Sequence, residues 1–196
     1  MSIFSDIRNE ALVRELDNEL NTDVLLFGFD GFVYFGNIQG IEDCRIALLS
    51  PAIKAETRDV EILSPGGEVR RVDFARVDLW QIVAKGTAIA HDPIVYSNGP
   101  GHDHGPDGPK RTVTEERQES HHLIRQLCRM IGDDVVITTL GGFLFEGTLG
   151  DIDDELAILK VDDIFGPATS SSISGEDVRS VVVNLEALTS VSSARC

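Results

Sequence analysis

The chain has 196 residues, with 17 Lys and Arg against 33 Asp and Glu, and a formal net charge of −16. Because nucleic-acid affinity comes largely from cations that displace counterions from phosphates, this charge disfavours a nucleic-acid partner. Hydrophobic residues make up 42% of the chain, and no apolar run reaches about 18 residues, so the composition indicates a folded, soluble protein and excludes a membrane-spanning helix.

The N-terminal segment has neither the basic start nor the apolar stretch of a secretory signal. The three cysteines, Cys44, Cys128 and Cys196, are widely spaced and form no Cys-x-x-Cys pair. Free thiols of this kind are typical of a reducing compartment. We therefore expect a cytoplasmic protein.

In chain order, apolar residues at helical spacing between Ile7 and Leu20 predict a first amphipathic helix. Strands follow, and alternation predicts one inward face made of Phe32, Tyr34, Gly36 and Ile38. The period breaks beside Gly40, where we expect a bulge or sharp bend. Ser64-Pro65-Gly66-Gly67 predicts a turn, and two last strands separated by a tight turn complete this part of the chain.

Residues 91–111 are rich in proline and glycine and predict an irregular linker. All five histidines of the chain fall between His91 and His122. Within this stretch His102, Asp103 and His104 offer two imidazoles and a carboxylate, a set that Zn²⁺ or Ni²⁺ can bind. The spacing of a third and fourth ligand is missing, so a metal-binding regulatory protein is one alternative for the function.

The second part of the chain repeats the order of the first. Thr112 and Glu115 can form a capping box, and apolar residues from Leu123 to Ile131 predict a second helix. A strand with Phe143 and Phe145 inward follows, and its period breaks beside Gly150.

An internal repeat underlies this similarity. Residues 23–48 align without a gap over residues 134–159, and eight of the pairs are identical: Asp23/Asp134, Val24/Val135, Gly31/Gly142, Phe32/Phe143, Gly36/Gly147, Ile41/Ile152, Asp43/Asp154 and Leu48/Leu159. A second block aligns residues 75–85 with 181–191. The repeat predicts two units, at 1–90 and 112–196, joined by the linker at 91–111.

The repeated unit resembles the Sm/LSm family of small β-barrels. The second copy carries the family pattern in Gly142, Phe145, Gly147, Leu149, Ile152, Asp153 and Leu156, whereas the first copy has Glu42 at the Asp position. The resemblance implies a mainly β fold made of two tandem Sm-like, SH3-like five-stranded barrels, each with an N-terminal α-helix. PRC-barrel and other SH3-like barrels have similar glycine-spaced strands and are the alternative at the level of the fold.

The departures from the family bear on function. RNA-binding members use an Asn and an Arg in the base pocket, and these positions hold Ala157 and Asn184 in the second copy and Ile46 and Asp78 in the first. Ala and Ile cannot hydrogen-bond a base, and Asp has the wrong charge for phosphate. We therefore expect a protein-interaction or scaffold module, with an Sm-like RNA-binding protein as the alternative.

Under the RNA-binding alternative, the strongest basic patch is Arg70, Arg71 and Arg76. No nucleophile–base pair, phosphate loop or zinc-protease motif is present, so we expect no enzymatic activity and no cofactor. The lone tryptophan, Trp80, is either a core residue or an exposed anchor, and under the second interpretation it is the candidate interface residue. Open barrels leave edge strands, which predicts self-association as a homodimer or trimer besides an unknown protein partner.

Overall fold

The computed structural model describes residues 10–87, 89, 91–94, 120–153, 155–167, 172–173 and 177–193. In this part of the chain the fold is mainly β, as predicted. The first half contains α1 (Glu10–Asp17), β1 (Asp23–Gly28), β2 (Val33–Glu42), β3 (Ile46–Ser50), β4 (Val60–Leu63), β5 (Val69–Val72), β6 (Ala75–Asp78), a 3₁₀ helix (Leu79–Gln81) and β7 (Ile82–Thr87). The second contains α2 (Ser120–Arg129), β8 (Asp134–Thr139), β9 (Leu144–Asp153), β10 (Leu156–Phe165), β11 (Ser172–Ile173), β12 (Ser180–Asn184), a 3₁₀ helix (Leu185–Ala187) and β13 (Leu188–Ser193).

All thirteen described strands belong to one antiparallel sheet, in the order β13-β8-β9-β10-β12-β7-β1-β2-β3-β6. Strand β11 pairs with β10, and the hairpin of β4 and β5 pairs with β2 through β4. The sequence predicts two tandem five-stranded barrels, whereas the described strands form a single open sheet with no closed barrel. The halves merge because β7 pairs with β12, which satisfies backbone groups that would otherwise form an edge of each half.

The two halves repeat each other's strand registers. Asp23 lies opposite Asn37 as Asp134 lies opposite Thr148, an offset of 111 residues that holds throughout the first two strands of each half. The repeat is not gap-free, however. The turn from β2 to β3 joins Glu42 to Ile46, whereas the turn from β9 to β10 is one residue shorter.

This extra residue corrects the predicted alignment after the turn. Ala47 lies opposite Val77 just as Ala157 lies opposite Val183, so Ala47, and not Ile46, is the counterpart of Ala157. Asp43 and Cys44 both adopt a φ of 53° in the longer turn. A left-handed pair of this kind accommodates the additional residue without breaking the ladder on either side.

The predicted bends in the long strands are confirmed. The register of β2 shifts between Ile38 and Gly40, and β9 passes from Leu149 to Asp151 around Gly150. A second conserved feature of the repeat is backbone contact at Gly147, where a Cβ would lie 2.1 Å from the Lys160 carbonyl oxygen. Only glycine allows the two strands to approach so closely.

The predicted inward face is buried in the second half and only partly so in the first, where Gly36 and Ile38 are buried but Phe32 and Tyr34 are half-buried. Phe143 and Phe145 are fully buried, as expected. In β2, however, Val33 and Phe35 are fully buried whereas Tyr34 is only half-buried. The reason is that the second half packs against the outer face of β1 and β2, placing Phe35 in the same hydrophobic cluster as Phe145.

Both predicted helices are present over Glu10–Asp17 and Ser120–Arg129, and the proposed capping residues Thr112 and Glu115 lie outside the described residues. Leu12 and Leu16 of α1 are buried with Leu156 and Val182 of the second half. Helix α1 therefore covers the line along which the halves meet. Neither helix is long and apolar enough, over its described residues, to cross a membrane.

The predicted linker is described only at its beginning. Ile94 is buried and forms a β-bridge with Ile173 of the second half. The linker sequence therefore starts by packing on the sheet. Residues 95–111, which include His102, Asp103 and His104, lie outside the described residues.

Candidate protein-interaction surface

Strand β6 lies at one end of the sheet, where β3 is its ladder partner. Its other edge has no partner among the described strands. Two exposed aromatic residues flank this strand in the chain: Phe74 immediately before it, with 72% of its surface exposed, and Trp80 two residues after it, with 46% exposed. Exposed aromatic rings beside an open strand edge are typical anchors of a protein interface.

The position of Trp80 is set by Asp78 and Arg45. Asp78 accepts a hydrogen bond from the Trp80 backbone N–H at 3.1 Å, which caps the first 3₁₀ helix. The same carboxylate accepts two bonds from Arg45, from Nε at 3.1 Å and from Nη2 at 2.7 Å. The Arg45 guanidinium lies 4.5 Å from the centre of the Trp80 ring, a distance at which cation–π attraction operates.

This arrangement changes the pKa of Asp78. The hydrogen bond from Arg45 lowers the pKa of the Asp78 carboxyl, and partial burial acts in the opposite direction. Asp78 therefore stays ionised over the ordinary pH range, and Arg45 holds Trp80 in a defined, half-exposed position.

The second half keeps the backbone of this turn but not its side chains. Asn184 caps the second 3₁₀ helix by accepting the Glu186 N–H at 3.0 Å. Glu186 takes the place of Trp80. Glu155 takes the place of Arg45, since the carbonyl oxygen of each accepts a hydrogen bond from the backbone N–H of the residue after the cap, Leu185 and Leu79 respectively. The Arg45–Asp78–Trp80 cluster thus belongs to the first half alone.

The three arginines of the predicted basic patch lie on two different strands. Arg70 and Arg71 are on β5 and Arg76 is on β6. Arg71 Nε lies 3.7 Å from Glu61 Oε1, and Arg76 Nη2 lies 2.8 Å from Glu42 Oε2. Two of the three cations therefore already face carboxylates, which lowers the positive potential available to a phosphate.

A pocket of about 170 Å³ opens beside β6, lined by Gly28, Asp30, Tyr34, Arg76, Val77, Asp78, Gln81 and Ile82. Burial, and then the charge of Asp30, raise the pKa of the Tyr34 hydroxyl, which therefore remains protonated. Asp30 Oδ1 accepts the Phe32 N–H at 3.2 Å. Sites for whole small molecules are about 300–1,000 Å³, so this volume is suited to a single side chain.

Sequence reasoning identified Trp80 but missed this pocket. Asp30 and Tyr34 carry its chemistry, and their counterparts in the repeat are Gly141 and Phe145. The sequence signal that could have indicated the pocket is the difference between the copies, since the first copy has a polar residue where the second has glycine or phenylalanine. Among the described residues no group of three His, Cys, Asp or Glu side chains could hold a metal ion.

No family model matches the chain, and no curated protein matches its sequence.

Proposed function

We propose that this protein is a non-enzymatic protein-interaction module built from two Sm-like, barrel-derived halves that lack a nucleotide pocket. The observation that carries the proposal is the Arg45–Asp78–Trp80 cluster at the end of the sheet. Asp78 stands where the family resemblance implies an RNA-contacting Arg, and its carboxylate is engaged by Arg45 at 2.7 Å.

The repeat supports the assignment of an Sm-like unit to each half. Matching registers in the first two strands, bulges at the same point of the long strand, and a 3₁₀ helix between the last two strands recur in both. The counterpart positions Ala47 and Ala157 have no side-chain hydrogen-bonding group. A base would find no donor or acceptor there.

The partner of such a module would add to the β6 edge. An extended segment gains main-chain hydrogen bonds from an open edge and specificity from neighbouring pockets. Phe74 and Trp80 on either side of the strand would supply the apolar anchors. This use of β6 is consistent with the exposure of both rings.

Affinity capture from cell extract tests the proposal when it is performed with wild type and with Trp80→Ala in parallel. We expect wild type to capture a partner protein and Trp80→Ala to lose it. Phe165→Ala, which removes an exposed ring on β10, should retain the partner. Titration with labelled oligo-U and oligo-A at low salt tests the RNA alternative. Micromolar binding that weakens with salt and disappears in an Arg70→Ala/Arg71→Ala variant would overturn the proposal.

We also propose self-association, as a homodimer or trimer, through β13 at the opposite end of the sheet. This strand is six residues long, pairs with β8, and contains no charged residue or proline. Natural edge strands that avoid pairing usually carry such residues. When the same edge strand of two subunits pairs with itself, the assembly is complete with those two subunits, which favours the dimer.

Light scattering tests this second point. Ser192 is exposed on β13 and Ala75 lies on β6. We expect Ser192→Lys to yield monomers and Ala75→Lys to leave the assembly intact. A wild-type protein that is monomeric at all concentrations would contradict self-association.

A further inference from the structure

We infer that the pocket beside β6, together with the open edge of that strand, binds an extended segment of a partner protein that carries a lysine or arginine side chain. The inference rests on the proposed function, because it names the chemistry of the partner that the module would bind.

In the second half, residues of the first half occupy the position equivalent to this pocket. The counterparts of Tyr34 and Asp30 are Phe145 and Gly141, and both contact the first half. The Phe27 ring meets the Phe145 ring edge-on at 5.0 Å. A Cβ on Gly141 would lie 2.5 Å from the Gly28 carbonyl oxygen. The backbone of the first half therefore packs directly against this glycine.

The strand edge is occupied in the same way. Strand β12 is the counterpart of β6, and it receives β7 as an antiparallel neighbour, with Val182 opposite Lys85 and Val183 opposite Ala84. The counterparts of Val182 and Val183 are Arg76 and Val77, which line the pocket. Within this molecule, therefore, the β12 edge pairs with one strand, β7, and the position equivalent to the pocket receives one large side chain, Phe27 of β1.

The lining of the pocket identifies the side chain that would enter it. The equivalent positions of the second half hold Phe145, Gly141 and Asn184, and of these Phe145 contacts the phenyl ring of Phe27. In the first half Tyr34, Asp30 and Asp78 replace them. Arg45 already engages the Asp78 carboxylate, so Asp30 is the carboxylate that would receive a cation beside the Tyr34 ring. Carboxylates and a ring face are the groups that bind an ammonium or guanidinium ion.

The remaining charges at the pocket do not oppose a cation of the partner. Arg76 is bound to Glu42 at 2.8 Å, so its charge is compensated locally. The Asp30 side chain is exposed. The net charge of −16 would also steer a basic partner toward the surface.

Asp30 also argues against a second copy of this chain that would dock on β6 in the way that the first half docks on the second. That junction needs glycine, because backbone approaches to 2.5 Å of the Cβ position at Gly141. The Asp30 side chain prevents the same approach. A partner strand on β6 must therefore stay farther from this turn, which leaves the pocket accessible to a long side chain.

Peptide titration of the full chain tests the inference. The probes are labelled peptides of alternating Thr and Val with a central lysine, or with norleucine of similar length in its place, and binding is followed by polarisation. We expect the lysine peptide to bind about tenfold more tightly, as one charge-assisted contact in a partly buried site allows.

Two variants form a matched pair for this titration. Asp30→Asn retains an acceptor for the Phe32 N–H and removes the charge, whereas Asp43→Asn removes a charge from the β2–β3 turn outside the pocket. We expect Asp30→Asn to reduce the preference for lysine to less than twofold and Asp43→Asn to leave it unchanged. Equal binding of both peptides to wild type, or an unchanged preference in Asp30→Asn, would overturn the inference.

A peptide with the sequence of β13, LTSVSS, is the third probe. If it binds more tightly than the lysine peptide, the occupant is a second copy and the inference is wrong. If no peptide binds while Trp80→Ala still abolishes capture of a partner from extract, the inference fails and the proposed function stands.

Discussion

The two halves of the molecule share strand registers but bury their strands differently. In β1 all six residues are buried, whereas in β8 buried and less buried residues alternate. The difference arises because the second half covers the outer face of β1, whereas β8 is covered on one face only. A repeat therefore specifies which residues pair along the strands, and the junction between the copies determines which faces are buried.

One identical residue shows the same contrast. Asp23 is buried and accepts the backbone N–H groups of Ile53 and Ala55 at 2.8 and 2.9 Å. Its counterpart Asp134 is exposed and accepts a single bond from Thr148 at 2.9 Å. The first half contains a loop between β3 and β4 that needs this support, whereas β10 runs continuously through the corresponding region.

The largest expected effect concerns the contact between the halves. Phe27 is fully buried and its ring lies 5.1 Å from Phe143 and 5.0 Å from Phe145. Phe27→Ala should lower the free energy of unfolding by about 3–5 kcal/mol, measured by urea denaturation. Phe165→Ala, at an exposed ring, should cost less than about 0.5 kcal/mol.

The same measurement tests whether the halves unfold together. The fluorescence of Trp80 reports on the first half, and circular dichroism reports on all strands. We expect coincident transitions in the wild type, since the halves share one hydrophobic cluster. Two separated transitions would show that the halves are independent.

The next largest effect concerns Lys85. Its side chain is 1% exposed, and Nζ lies 3.5 Å from Oε2 of Glu15 on α1 and from Oε1 of Glu19 just after that helix. Glu15→Gln/Glu19→Gln leaves a buried cation without its counter-charges and should cost roughly 3 kcal/mol. Adding Lys85→Met should recover most of this loss. The second half has Val191 at the equivalent place, which shows that an apolar residue suits this position.

The control for this series is Glu10→Gln, at an exposed position on the same helix. It should change the free energy of unfolding by less than about 0.5 kcal/mol. If the triple variant is no more stable than the double variant, the uncompensated charge is not the source of the loss.

The comparison of Asp23 with Asp134 provides a direct test. Asp23→Ala removes the acceptor of two part-buried backbone N–H groups and of the buried Asn37 side-chain amide. It should cost about 2–3 kcal/mol. Asp134→Ala should cost less than about 0.5 kcal/mol, because water replaces an exposed hydrogen bond. Equal losses in the two variants would mean that burial does not decide the difference.

A smaller effect is expected at the glycine on which the first half packs. Gly141 has a φ of 87°, and Gly132 has a φ of 88° with no atom within 4 Å of the Cβ position. Gly132→Ala should therefore report the backbone cost alone, about 1–2 kcal/mol. Gly141→Ala should cost at least about 1 kcal/mol more, and that excess measures the contact with Gly28.

The smallest effect concerns the pH dependence of the Trp80 cluster. Because Arg45 lowers the pKa of Asp78 below its ordinary 3.8, the stabilisation is complete above that pH and is lost as the pH falls through the lowered pKa. Arg45 is exposed, so salt should weaken the pair. Trp80 fluorescence should change in this acidic window in wild type and not in Asp78→Asn.

Much of the strand order within each half could be predicted from the sequence. Alternation, the glycines at the bends and the repeat itself are local signals, and each follows from the two-residue period of a strand or from the space that a side chain requires. The ungapped alignment placed Ile46 where Ala47 belongs, because the additional residue lies in a turn whose left-handed residues, Asp43 and Cys44, are not glycines.

Two features depended on tertiary structure alone. The pairing of β7 with β12 joins segments that are far apart in the chain, and no local pattern states which edge meets which. The pocket beside β6 exists because Asp30, Tyr34 and Asp78 come from a turn, a strand and a strand end that the sheet brings together. By itself the sequence determined the repeat, the helices and the strand periodicity, since these depend on neighbouring residues. The shared core and the open edge were decided by long-range packing.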